Sequence, residues 1–284
     1  MQQRKLIKNK IYEEERALYN LQNATLECCK FAGEEDGESA LKECRNFDIL
    51  NCKFELRYPL WHGTDFTVKQ SEFTETCRAA MWYDNNAELL NCTLNGIKAL
   101  RECKNITLYD CQATSPELGW KCDGITLLRG KYISEYFMFD SDNIRLQNVD
   151  FSGKYSFQYT KNLEIVDSVL DTKDAFWHAD NVVVKNSTVK GEYLAWYSQN
   201  VTFINCRIIG TQPLCYCKNL KLINCTMTDC DLAFEYSDVQ ADIAGQIDSV
   251  KNPLYGEIVA DAIGKIVREQ SVMKNNCKIT LRQK

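Results

Sequence analysis

Asn181-Val-Val-Val-Lys-Asn-Ser-Thr-Val-Lys-Gly-Glu-Tyr-Leu-Ala-Trp-Tyr-Ser-Gln199 is one unit of a pattern that restarts at Asn200-Val-Thr-Phe and Asn219-Leu-Lys-Leu. The same beat runs backward through Asn162-Leu-Glu-Ile, Asn143-Ile-Arg-Leu and Asn105-Ile-Thr-Leu, and Gly124-Ile-Thr-Leu fills the remaining slot. The spacing is nineteen residues. A fixed period in the range of about 20–50 residues signals stacked repeats. The chain is then a coil wound on itself, and its chemistry is read down columns of side chains.

The Asn position is taken as zero. Earlier zeros fall at Asn23, Asn46, Asp65 and Asn86, and later ones at Asp238, Glu257 and Asn276. Two early intervals are longer, 23 residues to Asn46 and 21 to Asn86; the first accommodates a polar insertion between Gly33 and Gly37. Positions +1 and +3 are apolar (Ile106 and Leu108, Val201 and Phe203), which marks a strand with that face buried. Position +5 is Asn or Asp (Asn91, Asp110, Asn186, Asn205), residues that suit a bend. Position +6 is small or Cys, and +8 and −5 are apolar again.

Three short strands per turn imply parallel sheets with strands about 4.8 Å apart. Nineteen is a multiple of neither six nor five, which disfavours left-handed hexapeptide and pentapeptide helices. The expected fold is therefore a right-handed parallel β-helix, all-β, of about thirteen turns. The stacked amides of the Asn column can hydrogen-bond along the ladder. The Asn-x-Thr sequons follow from the repeat and are not read as glycosylation sites.

The expected organisation is one domain overall. Residues 1–22 form an N-terminal cap, 23–238 the regular turns, and 239–284 thinner final turns with a C-terminal cap. Within the N-terminal cap Ile11–Asn20 favours a short helix over a strand. Ala241-Asp-Ile and Ala260-Asp-Ala, nineteen apart, suggest that the phase persists into the last turns.

The 284 residues are 45% hydrophobic, enough to fill a long core, and the net charge of −5 disfavours a nucleic-acid partner. No apolar leader follows Met1, and no run approaches the roughly 18 apolar residues of a membrane span. A cytoplasmic protein is expected, with its fifteen cysteines as thiols. Cys29, Cys52, Cys92, Cys111, Cys206 and Cys225 share position +6, where a small residue is wanted. No metal site is expected.

The segment before each zero looks different. Position −4 holds Trp61, Trp82, Trp120, Trp177 and Trp196, all the tryptophans of the chain, interleaved with Lys42, Arg101 and Gln158. Position −3 reads His62, Tyr83, Glu102, Lys121, Asp140, Tyr159, His178, Tyr197, Tyr216 and Glu235, with both histidines and nothing aliphatic. Position −5 is aliphatic or Phe, so a bend is expected that buries −5 and turns −3 outward. The Trp column is either core, an apolar seam, or a ligand-facing stripe; the charges among it favour partial exposure.

Several of these strings resemble a bacterial family of unknown function placed with pectate-lyase-like β-helices. They include Glu43-Cys-Arg-Asn46, Leu56-Arg-Tyr-Pro-Leu-Trp-His62, Thr172-Lys-Asp-Ala-Phe-Trp-His178 and Gly191-Glu-Tyr-Leu-Ala-Trp-Tyr-Ser198. The resemblance spans nearly the whole chain and implies the β-helix fold. It implies no catalytic residues.

Aromatic faces interleaved with acids, bases and hydroxyls suit sugar rings, so the expected ligand is an oligosaccharide or glycoconjugate. Its binding residues would be Trp61, His62, Trp82, Tyr83, Arg101, Trp120, Trp177, Trp196, Tyr197 and Tyr216. Hydrolase, lyase or isomerase chemistry could accompany binding. Glu102 and Asp140, two turns apart at about 9.6 Å by strand spacing, lie at the edge of an inverting pair's separation. In a lyase, Arg101 or Lys121 would be the base, and Glu102 and Asp140 would hold Ca²⁺; otherwise no cofactor is expected. Asp140, Tyr159 and His178 form a third acid/base cluster. The competing class is a non-catalytic scaffold, docking a partner or forming a homo-oligomer.

Overall fold

The computed structural model describes residues 4–33 and 37–283. The insertion read between Gly33 and Gly37 therefore lies largely outside the described residues. The chain is a parallel β-solenoid, as the repeat requires, and forms two compact units, 1–145 and 146–284.

In the first unit, Lys5–Lys8, Gln22–Glu27, Arg45–Leu50, Thr64–Lys69, Asn85–Leu90, Lys104–Thr114 and Asp123–Ser134 pair in parallel, each with the next. A second ladder joins Ile11–Tyr12, Lys30–Phe31, Lys53–Phe54, Glu72–Phe73 and Thr93–Asn95. A third, two residues wide, joins Leu60–Trp61, Met81–Trp82 and Leu100–Arg101. The registers Ala24↔Phe47 and Phe66↔Ala87 reproduce the longer intervals of 23 and 21. Inside, Phe31, Phe54 and Phe73 stack with ring centroids 4.7 and 4.6 Å apart.

In the second unit, Lys161–Val166, Asp180–Lys185, Gln199–Ile204, Leu220–Thr228, Asp238–Lys251, Tyr255–Val267 and Lys278–Leu281 form the main ladder. Val169–Lys173, Thr188–Lys190 and Arg207–Ile209 form the second.

Three expectations are corrected. Ile11–Asn20 is not a helix. Lys5–Lys8 and Ile11–Tyr12 are strands of a first turn, 15–20 is a turn, and Tyr12 stacks on Phe31 at 5.2 Å. Joining the ladder satisfies backbone groups that an isolated short helix would leave open.

The nineteen-residue phase does not reach the last turns. Ala241 pairs with Ile258, and Ile247 with Ile263, intervals of seventeen and sixteen. Smaller residues shorten the path around the core. The zero read at Glu257 is therefore out of register, since Asp238 pairs with Tyr255; the next interval of 21, from Glu257 to Lys278, brings Asn276 back into the zero column.

The corner before Asp238 is also displaced by one residue. Leu220 still pairs with Val239, but the Tyr216 N–H donates to the Glu235 carbonyl, as each −3 residue does to the next turn's −4 residue. Tyr236, not Glu235, thus follows Tyr216 in the −3 column.

The Asn column is more than an amide ladder. Asn23, Asn46, Asn86, Asn105, Asn143, Asn162, Asn181, Asn200 and Asn219 all have φ between 49 and 58°, as do the +5 residues Asn186, Asn205 and Asn224 between 50 and 52°. Left-handed backbone explains an alphabet of Asn, Asp and Gly, with Gly124 at φ 72°. The amides also pair along the axis: Asn181 Nδ2 donates to Asn162 Oδ1 at 2.7 Å, and Asn224 Nδ2 to Asn205 Oδ1 at 2.9 Å.

The +6 column has one structural job for two residue types. Ser71 Oγ accepts the Cys52 N–H at 3.0 Å and donates to the Lys69 carbonyl at 2.8 Å. Cys111 Sγ accepts the Cys92 N–H at 3.4 Å and donates to the Tyr109 carbonyl at 3.3 Å. Cys111→Ser, which keeps both bonds, is therefore expected to lose less stability than a change that removes them. Cys111→Val, which orphans a buried N–H, is expected to cost about 1–3 kcal/mol in urea unfolding.

Candidate functional site

The −3 residues project outward because the chain turns left-handed beneath them. In the first unit φ is 59° at His62 and Tyr83, 52° at Glu102 and Lys121, and 50° at Asp140. In the second it is 59° at Tyr159, 57° at His178, and 61° at Tyr197 and Tyr216. The neighbouring −5 side chains Leu60, Met81, Leu100, Phe157, Phe176 and Leu214 are fully buried. Each −3 N–H is tied to the next turn: His62 to the Trp82 carbonyl at 3.0 Å, His178 to that of Trp196 at 3.0 Å.

The tryptophans are half-buried, neither core nor free stripe. In the first unit Lys42 Nζ lies 4.5 Å over Trp61, Trp61 and Trp82 stack at 5.6 Å, and Arg101 is sandwiched between Trp82 and Trp120 at 5.6 and 5.4 Å. In the second, Trp177 and Trp196 stack at 5.6 Å within 5° of parallel. The indole N–H of Trp120, Trp177 and Trp196 donates to the carbonyls of Tyr136, Tyr193 and Gln212, each sixteen residues on. Gln158 repeats this bond to Asp174 with its amide. The −4 column is thus a structural seam whose faces pack on one another; the indole N–H groups of Trp61 and Trp82, by contrast, are buried without a hydrogen-bond partner among the described residues.

The −3 rings stack too. His62 and Tyr83 are 4.9 Å apart in the first unit. In the second, Tyr159, His178, Tyr197 and Tyr216 form a continuous column with spacings of 5.0, 5.3 and 4.7 Å and interplanar angles of 9–10°. Tyr159 and Tyr197 are 47% and 50% exposed. Because the rings face each other, what they show to solvent is their edges. Phenol hydroxyls and imidazole nitrogens therefore repeat at the strand spacing. The ring faces of this column, read from the sequence as suiting sugar rings, are covered by one another. Tyr216 is partly sunk, and burial pushes its hydroxyl up to about 12.

Glu102, Lys121 and Asp140 do fall on consecutive turns of the −3 column in the first unit. Glu102 Oε1 lies 3.5 Å from Arg101 Nε, and Arg101 Nη1 lies 3.6 Å from Glu117 Oε2. Lys98 Nζ is 3.7 Å from the same Glu117 oxygen. The sandwiched guanidinium is permanently charged and committed to the corner. Lys121, the other residue read as the base of a lyase, is exposed. Glu117 and Lys98 both sit at position −7, one turn apart. Among the described residues no three His, Cys, Asp or Glu side chains converge as a metal-binding group. Tyr159 and His178 are stacked neighbours in the second unit, and Asp140 lies in the first.

A buried carboxyl lies one residue inward of this surface. Asp84, 1% exposed, occupies the −2 column otherwise filled by Cys44, Gly63, Cys103, Cys122 and Ser141. Its Oδ1 accepts the Gly63 N–H, while Oδ2 has no hydrogen-bond partner among the described residues. A Cβ at Gly63 would stand 2.9 Å from Oδ1, so glycine there makes room for the carboxyl. Burial, reinforced by the Cys103 thiol, pushes the Asp84 carboxyl well above its ordinary range.

Two surface depressions lie elsewhere. One is lined by Ile11, Glu13, Glu14, Lys30 and Glu55, the other by Lys221, Ile223, Gln240, Asp242 and Glu257.

The chain belongs to the family described as a protein of unknown function, DUF3737, whose model matches residues 5–280. No curated protein matches the sequence. Among solved structures, a surface adhesin of Streptococcus pneumoniae is similar at 8% identity, with 82% of this chain and 71% of that chain covered and a TM-score of 0.36. The A-module of a mannuronan C-5 epimerase of Azotobacter vinelandii is similar at 11% identity, with 83% and 87% covered and a TM-score of 0.33. The catalytic domain of a GH87 α-1,3-glucanase in complex with nigerose is similar at 11% identity, with 97% and 63% covered and a TM-score of 0.32.

Proposed function

We propose that this member of the DUF3737 family binds an extended, hydroxyl-rich ligand, an oligosaccharide or glycoconjugate, along the −3 column of residues 146–284. The observation that supports this reading is the unbroken ladder Tyr159, His178, Tyr197 and Tyr216, with spacings of 4.7–5.3 Å. Its edges present donors and acceptors at nearly the length of one sugar residue in an extended chain. An apolar ligand would find no ring face to cover. A polyol finds one hydrogen-bonding edge per turn. The imidazole of His178 between two phenols is the group placed to exchange a proton with such a ligand.

A glycan array probed with wild type, Tyr197→Ala and His178→Ala tests this. Each variant is expected to lose about tenfold in affinity, or about 1.4 kcal/mol. Unchanged binding in both removes the site. A second reading, self-association through the same exposed edges, draws on the cost of leaving aromatic surface in water. Wild type that binds no glycan but forms a dimer abolished by Tyr197→Asp would replace the first reading with the second.

A further inference from the structure

The ladder in the second unit ends against a loop. Lys251 pairs with Val267 and Glu257 with Lys278, so the final corner spans eleven positions where the preceding one takes six. The extra length does not hang free. The Asn252 amide, itself fully buried, donates to the Glu269 carbonyl and accepts from the Asn275 amide. Arg268 donates to the carbonyls of Asn275 and Cys277, and Asn276 N–H to that of Leu254. So anchored, the loop folds back toward the N-terminal end of the unit. The Val272 N–H donates to the Tyr236 hydroxyl at 3.2 Å.

Tyr236 is the ring that follows Tyr216 in the −3 column. Its centroid is 5.9 Å from Tyr216, but its plane is tilted by 42°, so it leaves the parallel stack. Its hydroxyl accepts the loop's N–H. Val272, 90% exposed, and Met273, 51% exposed, stand beyond it as an apolar tip. A ligand following the ring edges from Tyr159 would meet backbone and aliphatic surface at this point.

We infer that the loop of residues 268–277 is an end-stop, so that the ladder holds the terminal residues of a glycan chain and not its interior. This rests on the binding reading above. Four ring edges precede the stop, which sets the site at about four sugar residues with one chain end abutting Val272.

The readout is stoichiometry on linear glucans, mannans and uronans of increasing length, measured by sedimentation of protein with each polymer. The wild type is expected to bind one copy per chain end, whatever the chain length. Deleting Gln270–Lys274 removes the tip and is expected to give several copies per long chain. Tyr236→Phe, which frees only the tip at Val272 and keeps the ring and the loop's other anchors, is expected to shift part of the way in the same direction. Wild type that decorates long chains with many copies overturns the end-stop and leaves the binding reading intact. So does a variant pair that binds like wild type. Failure of wild type to bind any polymer or oligosaccharide overturns both.

Discussion

Asp84→Ser is expected to stabilise the protein, and the gain should grow as pH rises. Asp84 lies in a column where serine is at home: Ser141 Oγ accepts the Cys122 N–H at 3.0 Å and donates onward to carbonyls. Serine at 84 keeps the acceptor for Gly63 and removes the orphan Oδ2. A buried polar group without a partner costs about 1–3 kcal/mol, more if it is charged. The sign of the pH dependence follows from the raised carboxyl. The folded state prefers the neutral acid, so there is no penalty below the unfolded value of about 3.9. As pH climbs above that value the unfolded chain ionises freely and the folded one resists, so wild type loses stability until its own raised value is passed. The thermal midpoint of Asp84→Ser should therefore lie above that of wild type by a small margin in acid and by a larger one toward pH 8. A gap that is constant with pH would show that Asp84 is not neutral in the fold.

Phe54→Ala should be the more damaging of two contrasting core changes. Phe54 is fully buried between Phe31 and Phe73, with both rings within 7° of parallel to it. Removing it leaves a cavity with a stacked ring on each side, and a loss of about 3–5 kcal/mol in urea unfolding is expected. The neighbours are held by ladder hydrogen bonds and cannot collapse into the gap. Phe54→Leu, which keeps most of the volume, should lose less than half as much. Equal losses would mean that the stack is not what holds this column.

The fold was legible because one period governs both hydrophobic face and bends. Nineteen-residue alignment placed Ile106, Leu163 and Val201 inside and Asn186, Asn205 and Asn224 at corners, as found. The zero column was read as a ladder only. Gly124 within it was the signal that left-handed backbone, not amide pairing alone, selects these residues. The C-terminal register was lost because Ala241 and Ala260 repeat by coincidence while the ladder shortens to seventeen residues.

For the candidate site, the sequence showed which columns carry the aromatic and ionisable groups, but not which way their rings turn. Stacking at strand spacing converts faces into edges, a property of rings on neighbouring turns that no single turn encodes. Tyr236 was hidden by a one-residue shift of the corner, visible only in hydrogen bonds such as Tyr216 N–H to the Glu235 carbonyl at 2.7 Å.

The most direct measurement is a crystal structure of the protein soaked with the best-binding oligosaccharide from the array. Density for sugar residues along the edges of Tyr159, His178, Tyr197 and Tyr216, one per turn and hydrogen-bonded to their hydroxyls and imidazole, is the predicted result. A ligand seated anywhere else, or laid across the turns instead of along them, would contradict the ladder as the binding site.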